Sequence, residues 1–343
     1  MRKRTRRFAA AAFAFFVLPA FAATSMAAEI VVSLVLAASG PDGSLDVRMA
    51  EAIGQAIGRE GGGRLAIQML SMGEDADSLD LHEALVNGSA DIAVIDVRNL
   101  GAAIPDFAPL ALPFILPDFR AADHFLQNGG AARMADVAGK HDIAIAGWFA
   151  PRPVYLFSKK PLSSVTDFKE LRIAATRRLS AANTLGILGA SPIFLSGRDI
   201  LDGSRQGTVD AVETDCADLA DLALPSELAG GFVLGHSFVL NALCYAAVIP
   251  STLGTSLNAF RRGLEAGLTE AGEVVNDALA SGYERLAAKG LPFQPINPKE
   301  MRDLVFANPE EVFAGGDKEI LDLLAAELKD ADGRTGNGFV RPN

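Results

Sequence analysis

Between Glu29 and Val97 the chain alternates short apolar runs with stretches of helical periodicity, and that alternation confines it to an α/β fold. EIVVSLVLA, residues 29–37, is a Val- and Ile-rich run of strand length. LDVRMAEAIGQAIGRE follows, with Leu45, Met49, Ile53 and Ile57 spaced to give a helix one apolar face. A GGG cluster stops that helix, because glycine enters the left-handed region without strain. RLAIQML is a second strand, SLDLHEALVNG a helix closed by Gly88, and ADIAVIDV a third strand. This β-α-β-α-β order implies a parallel sheet with right-handed crossovers.

The scheme repeats further along. LALPFILPDFRAADHFL is a proline-punctuated crossover leading into a helix, and KHDIAIAGWF is another strand. YLFSKKPL reads as the strand that begins a second domain. DFKELRIAA, SAANTLGILGASP, DILDGSRQG and TVDAVET then give strand, helix running to a strand, helix and strand. LNALCYAAVI is a late strand expected to return to the first domain. A long amphipathic helix, RRGLEAGLTEAGEVVNDALASGYERLAAKG, follows, then a short strand and a C-terminal helix within EEVFAGGDKEILDLLAAELKDA. The expected organisation is a signal peptide at 1–28 and a first α/β lobe at 29–150, completed by part of 240–343. A second α/β lobe occupies 151–240, the return strand and C-terminal helices 241–332, and a mobile tail 333–343.

The N-terminus sets the expected compartment. MRKRTRR is cationic, and FAAAAFAFFVLPAFAA is apolar but of signal-peptide length. Small residues offer cleavage at Ala20-Phe21-Ala22 or around Ser25-Met26-Ala27-Ala28, the later site being favoured by the strand that begins at Glu29. Removing residues 1–28 takes away five basic residues and no acidic ones, moving the formal charge from −11 to −16. So acidic a chain is a poor partner for nucleic acid or an anionic membrane surface. The chain has two cysteines, Cys216 and Cys244; an exported protein permits a disulfide between them, and free buried thiols are the favoured alternative. His82, His124, His141 and His236 form no metal-type spacing, and no nucleophile elbow, zinc-protease helix or phosphate loop occurs. Neither an enzyme, a metal site nor a cofactor is expected.

In order along the chain, GGGRLAIQML, NGSADIAVI, PDFAPLALPFILPDFRAADHFL, FSKKPLSSVTDFKELRI, GASP at 189–192 and GTVDAVET form a set that resembles the substrate-binding subunits of tripartite ATP-independent periplasmic (TRAP) transporters. The likeness covers most of the chain after residue 28. It implies a two-lobed periplasmic binding protein fold, a type II-like clamp with crossing strands and long C-terminal helices. It also implies a monomer in the periplasm that captures a small, organic-acid-like solute and hands it to membrane-embedded transporter subunits. A ligand sensor or partner-docking protein without transport duty is the alternative.

One departure bears on the ligand. The arginine with which the family grips a carboxylate falls, without a gap, on Ala174. A methyl group cannot replace a guanidinium's paired hydrogen bonds. Arg152, stiffened by Pro151 and Pro153, and Arg177, at a helix entrance, are the expected replacements for that positive charge. Glu213 and Thr214 end a strand at a domain edge, with Thr214 standing where the family has Asn. Ser39 and Asp96 follow the first and third strands, and Phe114 lies in a proline-directed reversal; these complete the expected ligand-binding set. An aspartate in the cleft disfavours a second carboxylate there and suits a cationic or polyhydroxy ligand.

Overall fold

The computed structural model describes residues 31–73, 76–175, 185–195, 197–215, 231–290 and 316–331. The segment expected to be a signal peptide, Arg177, Cys216, the short strand expected after the long helix and the C-terminal tail lie outside them.

The first lobe opens with β1 (Val32–Ala38), α1 (Leu45–Gly61), β2 (Leu65–Ser71), α2 (Ser78–Asn87) and β3 (Ile92–Asp96). Its helices start and stop where local chemistry dictates. Ser44 caps α1 by accepting from the Val47 amide, and left-handed Gly62 ends it at φ 56°. Asp77 and Asp80 form a capping box on α2, and Gly88 closes that helix at φ 79°. After β3 come two short 3-10 turns, then α3 (Phe119–Phe125), α4 (Ala131–Gly139) and β4 (Ile143–Trp148).

The second lobe holds β5 (Arg152–Ser158), β6 (Arg172–Ala175), β7 (Ser191–Phe194), α5 (Gly197–Gln206), β8 (Ala211–Asp215) and β9 (Phe232–Val239). β5 starts three residues earlier than the apolar run suggested, so that Arg152 is already in the sheet. β9 carries the GHS segment, buried like the rest of the strand beyond Phe232. The chain then returns through β10 (Asn241–Ala246) and runs into α6 (Leu257–Lys289) and α7 (Lys318–Ala331).

Two five-stranded sheets result, in the orders β2-β1-β3-β10-β4 and β7-β6-β8-β5-β9. β1 pairs in parallel with β2 and β3, whereas the returning β10 lies antiparallel between β3 and β4. In the second sheet β6 is parallel to β7 and β8, and β5 is antiparallel to β8 and β9. The described chain passes between the sheets twice, from β4 to β5 and from β9 to β10. The two crossings touch: the Phe149 amide donates to the Asn241 carbonyl at 3.0 Å, and Arg152 pairs in register with Val239. Such paired strands make a hinge in which a small change of backbone dihedral moves one lobe against the other.

α6 lies along α1 at unusually close range. A Cβ added to Gly263 would sit 2.7 Å from the Ile57 Cα, and one on Gly267 would sit 3.1 Å from the Ile53 Cα. α7 docks on the first lobe through buried Ile320, Leu324 and Leu328. Polar contacts fix its ends: Arg133 Nε donates to Asp317 Oδ1 at 2.9 Å, and His124 Nδ1 lies 2.5 Å from Glu327 Oε1.

Candidate functional site: the recess between the lobes

The C-terminal ends of β1 and β3, the first turns of α1 and α2, and the two crossings converge on a recess of about 380 Å3, part of it open to solvent. The first lobe contributes Ser39, Asp46, Ser78, Leu81, Val94 and Asp96; the second lobe and the crossings contribute Arg152, Asp215, Val239 and Asn241. This is the position the fold prepares for a ligand, because parallel strand ends and helix N-termini direct polar backbone groups there.

Charge in the recess is largely answered from within. Arg152 is 4% exposed; its Nη2 lies 3.3 Å from Asp215 Oδ2 on β8 and 3.6 Å from Asp46 Oδ1 on α1. The guanidinium therefore bridges the two lobes. Asp96 is more fully engaged. Arg98 Nε donates to both of its oxygens at 3.0 and 3.1 Å, and Arg98 Nη2 donates at 2.6 Å. Asn99 Nδ2 and the backbone amides of Arg98 and Leu240 add donors at 3.2, 3.3 and 3.2 Å. Arg98, itself 1% exposed, reaches on to Ser237 Oγ of β9 at 2.7 Å, so this buried cluster also ties one lobe to the other. A charge this deep is tolerable only with such a complete set of partners.

Of the residues singled out from the sequence, Ser39, Asp96 and Arg152 meet in the recess. Glu213, Thr214 and Phe114 do not line it. Glu213 is fully buried against His236, with Nε2 to Oε1 at 2.9 Å. Thr214, with no exposed surface, directs its hydroxyl to the Asp215 carbonyl at 3.4 Å. Phe114 sits beside the same histidine, edge-on at 6.4 Å between ring centroids, and its amide donates to the His236 carbonyl at 2.7 Å. Its φ of 61° marks a tight reversal held by that bond.

Ala174 is buried in the middle of the second sheet. Register places Ile193, Ala174, Val212, Phe157 and Val233 in one row across five strands, so the position at which an arginine was expected from the resemblance is part of an apolar row. Arg172, two residues earlier, anchors the start of β6: its Nε and Nη2 donate to the two oxygens of Asp210, both at 2.8 Å. That bonded guanidinium holds the Asp210 carboxyl below the usual carboxylate range.

Sequence reasoning did not single out Asp46, Ser78, Arg98, Asp215 or Asn241. The Asp96-Val97-Arg98 spacing was the one local signal, since an arginine two residues beyond a strand-ending aspartate can fold back on it. The others are brought in by contacts between distant parts of the chain or by crossing strands, which no local pattern reveals.

The profile of the family described as "Bacterial extracellular solute-binding protein, family 7" matches residues 36–221, more than half of the chain. The chain belongs to that family. A curated relative, uncharacterized protein YiiZ of Salmonella typhimurium, is 24% identical over 167 residues, covering 48% of this chain and 50% of that protein. The chain thus spans about half the length of the curated relative it matches. Among solved structures, it is similar to a TRAP periplasmic solute-binding protein from Xanthobacter autotrophicus Py2 with bound β-D-galacturonate. The TM-score is 0.69 at 14% identity, over 86% of this chain and 98% of that one. It is also similar to a TRAP periplasmic solute-binding protein from Pseudomonas putida F1 with bound D-glucuronate, at a TM-score of 0.68 and 16% identity, over 90% and 100% of the two chains. At these identities the likeness establishes the two-lobed fold.

Proposed function

We propose that this chain is an extracytoplasmic receptor that captures a small solute in the interlobe recess and delivers it to the membrane-embedded subunits of a TRAP-type transporter. The observation that carries the reading is the recess itself. Its walls come from both lobes and both crossing strands, so a ligand there would favour one relative position of the lobes over others. Membership of the family supports it, as do structural neighbours that hold small sugar acids. In this reading the first 28 residues are a signal peptide removed on export, and the mature chain works in the periplasm as a monomer. The lobes divide at 150–151 and again near 240, and catalysis has no part. No described helix is long and apolar enough to cross a membrane.

The expected ligand contacts are Ser39, Asp96 and Arg152, joined by Asp46, Ser78, Asp215 and Asn241. Glu213, Thr214 and Phe114 act behind the recess in this reading, by holding the strands and the reversal that shape it. Arg177, outside the described residues, remains a proposed contributor of positive charge. The test is uptake into vesicles containing the transporter's membrane subunits. Solute accumulation that requires the added mature chain supports the reading; accumulation indifferent to the chain, with the chain folded, refutes it.

A further inference from the structure

Resting on that receptor reading, we propose that Asn241 and Ser78 are the residues with which the recess selects its solute, and that what they select is a hydroxyl group on it, whatever charge the solute carries elsewhere.

The polar side chains of the recess are of two kinds. Ser39, Asp46, Asp96, Arg152 and Asp215 all have partners within the protein. Asn241, 5% exposed, and Ser78, 6% exposed, line the same recess, and neither side chain makes a hydrogen bond among the described residues. Buried amides and hydroxyls are nearly always bonded. Two left open in one small space cost folding free energy that a bound molecule recovers by supplying their partners.

Both are also held in place before a ligand arrives. Asn241 begins β10 in register with Asp96 on β3, and its carbonyl accepts from the Phe149 amide at 3.0 Å, where the two crossings touch. Ser78 is the first residue of α2, inside the capping box in which Asp77 Oδ1 accepts from the Leu79 and Asp80 amides at 2.8 and 3.2 Å. The backbones are bonded and the side chains face the recess, so little ordering is needed on binding. At about 380 Å3 the recess is at the small end of ligand sites, and one small solute reaches both walls.

The chemistry of the two side chains defines what fits. The Asn241 amide both donates and accepts, and so does the Ser78 hydroxyl. A carboxylate only accepts and an ammonium only donates, so either alone leaves half of Asn241 unmet. A hydroxyl does both, and is the smallest group that answers the pair. Leu81, Val94 and Val239 line the same space and suit the solute's carbon skeleton. A site built to bond a hydroxyl rejects the analogue that lacks it, because its own polar groups are then buried without partners.

Calorimetric titration with probes differing by one hydroxyl tests this in three charge classes. The probes are D-gluconate and D-glucose with their singly deoxygenated forms, and ethanolamine with ethylamine. In at least one class the hydroxylated probe should bind about tenfold or more tightly than a deoxygenated partner. Asn241→Leu or Ser78→Ala should remove that difference by weakening the hydroxylated probe while leaving the deoxygenated one within about twofold. Circular dichroism establishes folding, and Ser78→Ala carries the test if Asn241→Leu does not fold. Probes that bind with no preference for any hydroxyl overturn the inference and leave solute capture standing. A preference that survives intact in both folded variants also overturns it, by placing the selection on other residues. Failure of every probe, hydroxylated or not, counts against both this inference and the receptor reading.

Discussion

Arg98→Ala is expected to be the most damaging single truncation near the recess. Arg98 is 1% exposed and makes three close contacts to the Asp96 carboxylate and one to Ser237 Oγ across the lobes. Removing it leaves Asp96, 7% exposed, with only Asn99 and two backbone amides as donors. Breaking a buried pair by deleting one partner costs about 3–5 kcal/mol, because the remaining charge is desolvated and unmatched. The lost volume of the side chain adds to this, while the three surviving donors reduce it, so about 3–4 kcal/mol is the expected loss. Urea unfolding followed by far-UV circular dichroism measures it. Pairing the truncation with Asp96→Asn should recover part of the loss, since the stranded charge is then gone. A loss below about 1 kcal/mol for Arg98→Ala would refute the reasoning, because it would mean that water already reaches Asp96.

The remaining predictions concern packing, pH and thiol chemistry. Gly263→Ala should destabilise by about 1–3 kcal/mol despite alanine's better helix propensity, because its Cβ meets the Ile57 backbone; Gly272→Ala, with open space around it on the same helix, should instead stabilise by up to about 1 kcal/mol. Paired thermal unfolding curves check the opposite signs. Arg133, hydrogen-bonded to Asp317, pulls that carboxyl down to about 2, so its anchoring of α7 is fully present above the ordinary aspartate range near 3.8 and is lost as pH falls through about 2. Hydrogen exchange of 318–331 should accelerate over that acid window and should do so less in Asp317→Asn. Burial pushes the Cys244 thiol up to about 12, so it should resist iodoacetamide at pH 8 in the folded chain and react once the chain is unfolded.

The fold was legible wherever the signal is local. Apolar runs located β1, β2 and β3, and glycines at 62 and 88 ended α1 and α2 as their left-handed conformations require. The return of LNALCYAAVI to the first sheet was also readable, because such a buried apolar run needs a sheet interior. β5 was placed late because Arg152 and Pro153 break its apolar pattern, although both are buried in the strand. His236 was more open: its role as Glu213's buried partner depends on β9 lying across β5 from β8, which is a matter of sheet order. The recess was legible only in outline. Ser39 and Asp96 follow from the rule that parallel strand ends face ligands, but that rule does not separate a residue that greets a ligand from one consumed by the hinge. Asp96 lines the recess while Arg98 occupies its carboxylate, and that distinction needed the 2.6 Å contact. Asp46 and Asp215, 169 positions apart, meet on one guanidinium only because the lobes face each other there.

Hydrogen exchange with and without a bound solute tests the central claim most directly. The claim is that both lobes hold one ligand in the recess between them. A solute that raises the chain's thermal stability should slow exchange at the start of α2 around 78–81, at the end of β3 around 94–96 and along the crossing at 239–241, while leaving 318–331 unchanged. Slowing confined to one lobe, or centred away from these three segments, would contradict it.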